Sequence, residues 1–570
     1  MATNKKRIAI IGGGPAGLFL FKTLLDSGKR DIEIDIFERR NRLGAGMPYS
    51  SSGANDEHIT NVSENEIPEL VTSIAEWART VPVAILNQYH IDPDNFNEYK
   101  VLPRLFFGMY LSAQFDILLE HAKAEKITTN VHFECNVEDI IDKPEFNETW
   151  ISIPDLGIIE FDTVVICTGH KWPMIHEGKV HGYFDAPYPP AKLNLHLNHK
   201  VAIRGSSLTA IDAIRTIARN NGAFFKAEGR NLTYEPFEHS PNFKISMHSR
   251  NGMLPAVRFH LEDSHLSNNS LLSEEEIAAH IKQNDGFLSL DYVFEKDFKA
   301  IFQDKDPEFY AKIREMKIED FVTAMMELRE RLDPFILLEA EYEQAAKSIK
   351  RKETIYWKEM LGVLSFAMNY PAKYLSAEDM QRLQNTLIPL ISIVIAYVPQ
   401  SSCEELLALN NAGVLEMISV GDDSEVVPEY EKGGATYHYT SEAGEKQSIY
   451  YQTFIDCVGQ PHLSYAQFPF KSMLENRTIS AARIRFRSEE QGRRALDSGN
   501  EKVEQGADGA YYLSVSGIAI NDSFQVLDQY GAYSERIYIM AVPYIGGLNP
   551  DYSGLDFCEE AARRIVKSLL

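Results

Sequence analysis

Residues 8–17 read IAIIGGGPAG, and the next apolar stretch, DIEIDIFE, closes on Glu38. A strand therefore runs into Gly12-x-Gly14-x-x-Gly17, a helix opens at Pro15 and Ala16, and an acid ends the following strand about twenty residues on. Few sequence patterns restrict a fold as much. Gly12 permits a tight turn, Gly14 lets the backbone come close to a pyrophosphate, and Gly17 lets the helix lie against the strand. The helix N-terminus offers unpaired N–H groups and a positive dipole end to phosphate. The Glu38 carboxylate is placed to accept hydrogen bonds from ribose hydroxyls. The expectation is a dinucleotide site at the carboxyl end of a parallel sheet.

Composition bounds what surrounds that site. The chain has 570 residues, room for about three domains. Its formal net charge of −25 argues against a nucleic-acid partner or an anionic membrane surface, since both call for a cationic face. Cys135, Cys167, Cys403, Cys457 and Cys558 are far apart and form no CxxC. That removes redox-dithiol and zinc-ribbon readings and suits a reducing, cytoplasmic setting. The basic N-terminus leads into an apolar run, but GGGPAG interrupts it, so a buried strand explains it better than a leader peptide. The longest apolar stretch, residues 388–398, is too short to span a bilayer. No metal-ligand cluster or nucleophile triad stands out, so no metal is expected and no catalytic residue is assigned.

The opening logic recurs. Residues 200–222, KVAIRGSSLTAIDAIRTIARNNG, read as a strand, a small-residue turn at Gly205–Ser207 and a helix. Serine replaces the middle glycine of the pattern and Ala210 the last. Strand KISMHS follows at 244–249, after an insertion over 222–240. FDTVVICTG at 161–169 and SIYYQTFIDCVG at 448–459 are apolar strands that both end in a glycine turn. From 272 to 398 the chain turns to Glu, Lys, Leu and Met, with helix-start signals at Ser273–Glu276 and Ser376–Asp379. About five to seven helices of ordinary length fit there. Short strands over 510–542 and a closing helix at Glu559–Leu570 complete the chain. The fold class is α/β, with two Rossmann-like dinucleotide-binding domains and a helical insertion.

Further motifs are LGAGMPYS at 43–50, HITNV at 58–62, LPRLFFGMYL at 102–111, VVICTGH at 164–170 and SRNGMLP at 249–255. With the two glycine turns, they make the chain resemble the FAD-NAD(P)-binding family and, more widely, the flavoproteins with two dinucleotide-binding domains, which include flavin-dependent N-monooxygenases. The resemblance covers nearly the whole length, and SRNGMLP is its most specific part. It implies FAD on the first unit and NADPH on the second, with NADH as the alternative. Residues 1–198 and 464–570 would form the FAD domain, 199–271 and 401–463 the NAD(P)H domain, and 272–400 the helical insertion.

On the FAD side the resemblance implies binding by Gly12, Gly14, Pro15, Ala16, Gly17 and Glu38. Gly46, Tyr49 and Asn61 would face the flavin, with Arg104 near the cofactor. Val137 would read the adenine through its backbone, and Thr168 and Gly169 would return the chain to the flavin. Asn549 and Gly554, with Asp551 as a further candidate, would close its pyrimidine edge. On the other side, Gly205, Ser206, Ser207 and Leu208 would hold the second pyrophosphate. Ser249 and Arg250 fall where the adenosine 2′ position is read, and an arginine there favours a 2′-phosphate.

The activity implied is hydride transfer from NADPH to the flavin, followed by insertion of one atom of molecular oxygen into a small nucleophilic substrate, an amine or amino acid first. The alternatives are a reductase or oxidase without oxygen insertion, and a non-catalytic flavin-binding regulator. A substrate carboxylate would meet Arg258. Cys167 and His170 read as structural, and Tyr356, Trp357, Phe366, Tyr370 and Tyr397 as core at helical spacing. The oligomeric state is not specified by any of these features.

Overall fold

The computed structural model describes residues 5–226, 231–262, 271–460, 462–548 and 554–570. Strand β1 (Lys6–Ile11), helix α1 (Pro15–Asp26) and strand β2 (Ile32–Phe37) form where the glycine pattern requires. Ile8 to Ile11 are all buried, as a parallel strand covered on both faces must be. Helix α1 buries Leu18 to Phe21, Leu24 and Leu25, a face far broader than a surface helix carries. Helices Arg104–Ala124 and Gly554–Leu569 pack against it.

The first sheet runs Gln525–Leu527, Tyr533–Ile539, Thr163–Ile166, β1, β2, Thr128–His132, parallel except for the first strand. The second sheet runs Tyr183–Phe184, Thr453–Asp456, Lys200–Arg204, Lys244–Ser249, Leu415–Ser419, and is parallel throughout. In each sheet the strand before the glycine turn lies in the interior, with successive crossovers leaving on opposite sides. Those are the switch points at which open α/β sheets hold ligands. The first sheet takes Tyr533–Ile539 from beyond the second, so the second nucleotide unit is inserted within the first.

The segment over 222–240 contains an antiparallel hairpin of Gly222–Phe225 with Thr233–Pro236. Nine α-helices lie between Glu274 and Val394, more than the five to seven expected. Prolines explain part of the excess. Pro307 and Pro334 each open a new helix at its first position, capped by Asp306 (Phe309 N–H to Oδ1, 3.0 Å) and Asp333 (Phe335 N–H to Oδ1, 2.9 Å). The caps read at Ser273 and Ser376 form as anticipated. Tyr356, Trp357 and Tyr370 pack on the main core, and Tyr397 is buried in the second.

The helical body is tied down at several seams. Asp522 accepts from Tyr370, Tyr374 and Lys373. The chain after SRNGMLP pairs with it in parallel, Arg258 N–H donating to Val398 O and Val398 N–H to Ala256 O, each at 2.9 Å. A third tie joins helix Gln400–Asn411 to helix Leu208–Asn221: the Glu405 carboxylate receives both Arg215 and Arg219, at 2.7–3.0 Å.

Burial alone would raise the Glu405 carboxyl, but the two guanidiniums outweigh it and hold it below the ordinary range. Replacing Glu405 with alanine strands two arginines, one of them buried, and is expected to cost about 3–5 kcal/mol. Because the folded-state pKa is the lower one, the difference between wild type and variant is full above about pH 5 and is lost as pH falls through the folded value. Denaturant midpoints of both proteins across pH 3–7 check this; a pH-independent gap contradicts it.

Candidate functional site

The site is built on a glycine under a carbonyl. Gly12 sits at φ +108°, and a Cβ there would lie 2.7 Å from Cys167 O. A Cβ on Gly17 would strike Gly12 O, so the helix packs on the turn only as glycine. Gly14 caps α1 with no side-chain bond, which leaves the first-turn N–H groups open. The Glu38 carboxylate, 6% exposed, accepts from Gly13 N–H at 2.8 Å and Arg40 N–H at 2.9 Å. Each oxygen keeps a lone pair for a hydroxyl donor.

The loop at 43–50 folds onto this turn. Gly44 N–H donates to Gly13 O at 2.7 Å, and Gly46, at φ +58°, lies against Gly14 and Pro15. Helix Arg104–Ala124 approaches so closely that a Cβ on Gly108 would overlap Tyr49 O. Tyr49 meets Phe107 edge-on at 4.9 Å, and burial pushes its hydroxyl up to about 12.

A cavity of about 330 Å³ opens over the turn. Gly12, Gly14, Pro15, Ala16, Glu38, Gly46, Tyr49, Val137, Thr168, Gly169 and Gly554 line it. Gly17 stands behind the turn. Asn549 and Asp551 lie outside the described residues. The volume is in the range of small-ligand and cofactor sites. Thr168 Oγ1 is buried on this wall with no hydrogen-bond partner, which a bound ligand would supply. With the open helix N-terminus and the Glu38 lone pairs, the residues present fit a dinucleotide.

The second turn repeats the first. Gly205 sits at φ +112°, and its Cβ would lie 2.6 Å from Cys457 O. Gly205 N–H donates to His248 O at 2.7 Å, as Gly12 N–H does to Phe37 O at 2.9 Å. By that register Ser249 stands where Glu38 stands, and Arg250 where Arg39 stands. Ser206 Oγ donates to Met253 O at 2.7 Å, which brings the SRNGMLP loop onto the turn. Ser207 caps the helix with no side-chain bond, and Leu208 opens it. Arg250 is 80% exposed, with Asp422 at 3.7 Å.

Three candidates lie elsewhere than expected. Arg104 is not on the cavity wall; its guanidinium bonds Asp212 at 2.5 Å and Ile59 O at 3.0 Å. Asn61 is also off the wall, and its carbonyl accepts from Arg258. Arg258 itself is buried against Glu66 and Ser63 Oγ, so it is closed to a substrate carboxylate. Two seams account for them. His58 and Arg104 dock on helix Leu208–Asn221 through Thr216 and Asp212, while Arg258 seats on Asn61 O, Ser63 and Glu66, and a buried cation at either seam requires a partner.

Asp212 is the residue that sequence reasoning missed. It also accepts from Tyr188 OH at 3.0 Å, while His58 Nε2 lies 3.0 Å from Thr216 Oγ1. Burial lowers the His58 pKa. An acid on the buried face of the apolar run LTAIDAIRTI was the available signal.

Fold and site define a protein organised around two dinucleotide turns. Residues 9–171 match the model of the FAD-NAD(P)-binding family, and residues 273–395 match the YdhS-like middle domain. Residues 9–171 thus carry an FAD-NAD(P)-binding unit, with FAD and NAD(P)H as cofactors. The uncharacterized protein YdhS of Escherichia coli (strain K12) is 27% identical over 481 residues, 82% of this chain and 86% of that protein. Solved structures that align along the chain include the ornithine N-hydroxylase of Kutzneria sp. 744 (13% identity, 99% of each chain, TM-score 0.46). A bacillithiol disulfide reductase of Staphylococcus aureus also aligns (12% identity, 99% and 98%, TM-score 0.41). Among the described residues, no helix is long and apolar enough to cross a membrane.

If Arg104 serves docking, Arg104→Met should lower the unfolding free energy by about 3–5 kcal/mol and leave FAD content unchanged. Flavin absorbance per chain and denaturant midpoints decide; loss of FAD at unchanged stability would return Arg104 to the cofactor.

Proposed function

We propose that this chain is an FAD-dependent NADPH oxidoreductase that works as a monooxygenase on a small nucleophilic substrate, an amine or amino acid first. The observation that carries the reading is the pair of equivalent glycine turns, one followed by an acid and a cavity, the other by serine and arginine. Bound FAD supplies hydride acceptance and oxygen activation.

The chain's own residues divide the remaining work. The open N-terminus of α1 takes the pyrophosphate charge, and Glu38 the ribose. A carboxylate at that position repels a 2′-phosphate, so the first turn suits FAD. At the second turn the neutral Ser249 removes the repulsion, and the exposed Arg250 offers a fork for the phosphate. Phe470, Met540 and Pro543 give the cavity an apolar wall that excludes water. Cys167 and Cys558 also line it, as free thiols that burial pushes up, so neither supplies a thiolate for a dithiol relay. Residues 1–198 with 464–570 form the FAD domain in this reading, and 199–271 with 401–463 the NADPH domain. Five free thiols suit a cytoplasmic enzyme.

The closing of Arg258 by Glu66 favours a second reading in one respect, since it takes away the expected carboxylate ligand. A reductase or oxidase needs none. Oxygen-dependent hydroxylation, measured with NADPH consumption and peroxide release over an amine panel, separates the two. Monooxygenation predicts product matching consumed NADPH for one substrate; complete recovery as peroxide throughout contradicts it. Arg250→Ala should raise KM for NADPH about tenfold or more and leave KM for NADH unchanged, the loss of one charge-assisted contact. Equal effects on both cofactors contradict the 2′-phosphate assignment.

A further inference from the structure

The two nucleotide halves are duplicates down to single hydrogen bonds, and the register extends past the strands. Cys167 N–H donates to Ile11 O at 2.8 Å, and Cys457 N–H donates to Arg204 O at 2.7 Å. Cys167-Thr168-Gly169-His170 in one half therefore corresponds to Cys457-Val458-Gly459-Gln460 in the other. These corresponding ends meet. Gln460 Nε2 donates to Lys171 O at 3.2 Å. His170 Nδ1 and Gln460 Oε1 are both buried, and neither closes a hydrogen bond of ordinary geometry. They are complementary as donor and acceptor, so a small approach of the two halves joins them. Joined, that pair would fix the proton on Nδ1 and leave Nε2 as the acceptor.

His170 also lines the 330 Å³ cavity, and it is the one histidine on that wall among the described residues. The other acid–base groups there are poorly suited. Glu38 is held by two backbone N–H groups, burial pushes Tyr49 up to about 12, and burial raises Tyr544, Cys135, Cys167 and Cys558. A proton-transfer group works best near the operating pH. Burial lowers the His170 pKa, Gln460 opposes that shift, and His462 adds to it. Lys171, next in the chain, is the cation on its own loop. His462, whose pKa burial lowers, is the titratable neighbour across the junction, and Trp172 lies 5.8 Å from the His170 ring between centroids.

We infer that His170 is a catalytic proton-exchanging residue of the flavin site, with Nε2 as the exchanging atom. The inference rests on FAD occupying this cavity. Two-electron reduction by a hydride adds one hydrogen with its electron pair and leaves the ring one proton short of neutrality. NAD(P)H, FAD and one proton give NAD(P)⁺ and the neutral reduced ring. Protonated at Nε2 from solvent, the His170 ring passes that proton inward on reduction, the N–H bond at Nε2 breaking; on reoxidation the proton leaves with the reduced oxygen product, and solvent reprotonates Nε2.

The test uses the FAD-loaded full chain and its His170→Asn and His170→Gln variants. Three quantities are measured: FAD content, the midpoint at which the anaerobically reduced flavin loses its proton (by absorbance), and the pH profile of flavin reduction by NADPH. Both variants are expected to keep FAD, shift that midpoint, and lose the rise in reduction rate on the acid side of neutrality. At pH 6 the rate should fall about a hundredfold, the low end of general acid–base contributions. FAD-loaded variants with wild-type midpoint and pH profile overturn the role of His170 and leave the cavity assignment standing. Failure of the wild-type chain to take up FAD overturns both.

Discussion

The structure depends on one close approach, a glycine lying under the carbonyl of the residue that follows the neighbouring strand. At Gly12 that carbonyl belongs to Cys167, and at Gly205 to Cys457, with Cβ-to-oxygen separations of 2.7 and 2.6 Å for any larger residue. The positive φ and the missing Cβ are needed at the same place. They let each interior strand leave its sheet in a tight turn and deliver an open helix N-terminus to the carboxyl edge. The Glu38 bonds, the loop at 43–50 and the orphan hydroxyl of Thr168 are all arranged about the first of these turns. The SRNGMLP loop is arranged about the second.

Two turns are of use to each other only if the halves are held in register. Arg104 and Asp212 do this at one point, backed by Tyr188, His58 and Thr216. The segment after SRNGMLP does it at another. Met253 O accepts from Ser206 at the second turn, Leu254 O from Arg329 of the helical body, and Arg258 reaches Glu66 beside the first half. One short stretch of chain thus touches all three parts of the molecule. The helical body does not contribute to the cavity wall among the described residues; it is held by the segment after SRNGMLP, by Asp522, by Arg487 and Ser488 on Glu378, by Arg564 on Glu274 and by Tyr342 on Glu404.

Much of the fold was legible because it rests on backbone rules. GGGPAG, the strands ending in glycine and the capping residues Ser273 and Ser376 each state a local geometry that nothing elsewhere overrides. The helical region was less legible. Its helix number depends on where Asp-Pro pairs restart the chain, and its apolar pattern does not show those breaks. Among the site candidates, residues on the turn itself lie on the cavity. Arg104, Asn61 and Arg258 do not, since a buried arginine near a cofactor motif reads the same whether it faces ligand or a distant acid. Asp212 and Glu66 stand 108 and 192 positions away from their partners in the chain, beyond any spacing argument. His170 follows the glycine of VVICTGH, and its interest comes from meeting Gln460 across the duplication.

The central claim is that the two turns divide the cofactors, FAD to Gly12 and NADPH to Gly205. The most direct measurement is binding stoichiometry in the single variants Gly12→Val and Gly205→Val, titrated with FAD and, separately, with NADP⁺. The account predicts that Gly12→Val loses FAD and keeps NADP⁺ binding, while Gly205→Val keeps one FAD per chain and loses NADP⁺. Loss of both ligands in a folded Gly205→Val protein, or retention of FAD by Gly12→Val, would contradict it.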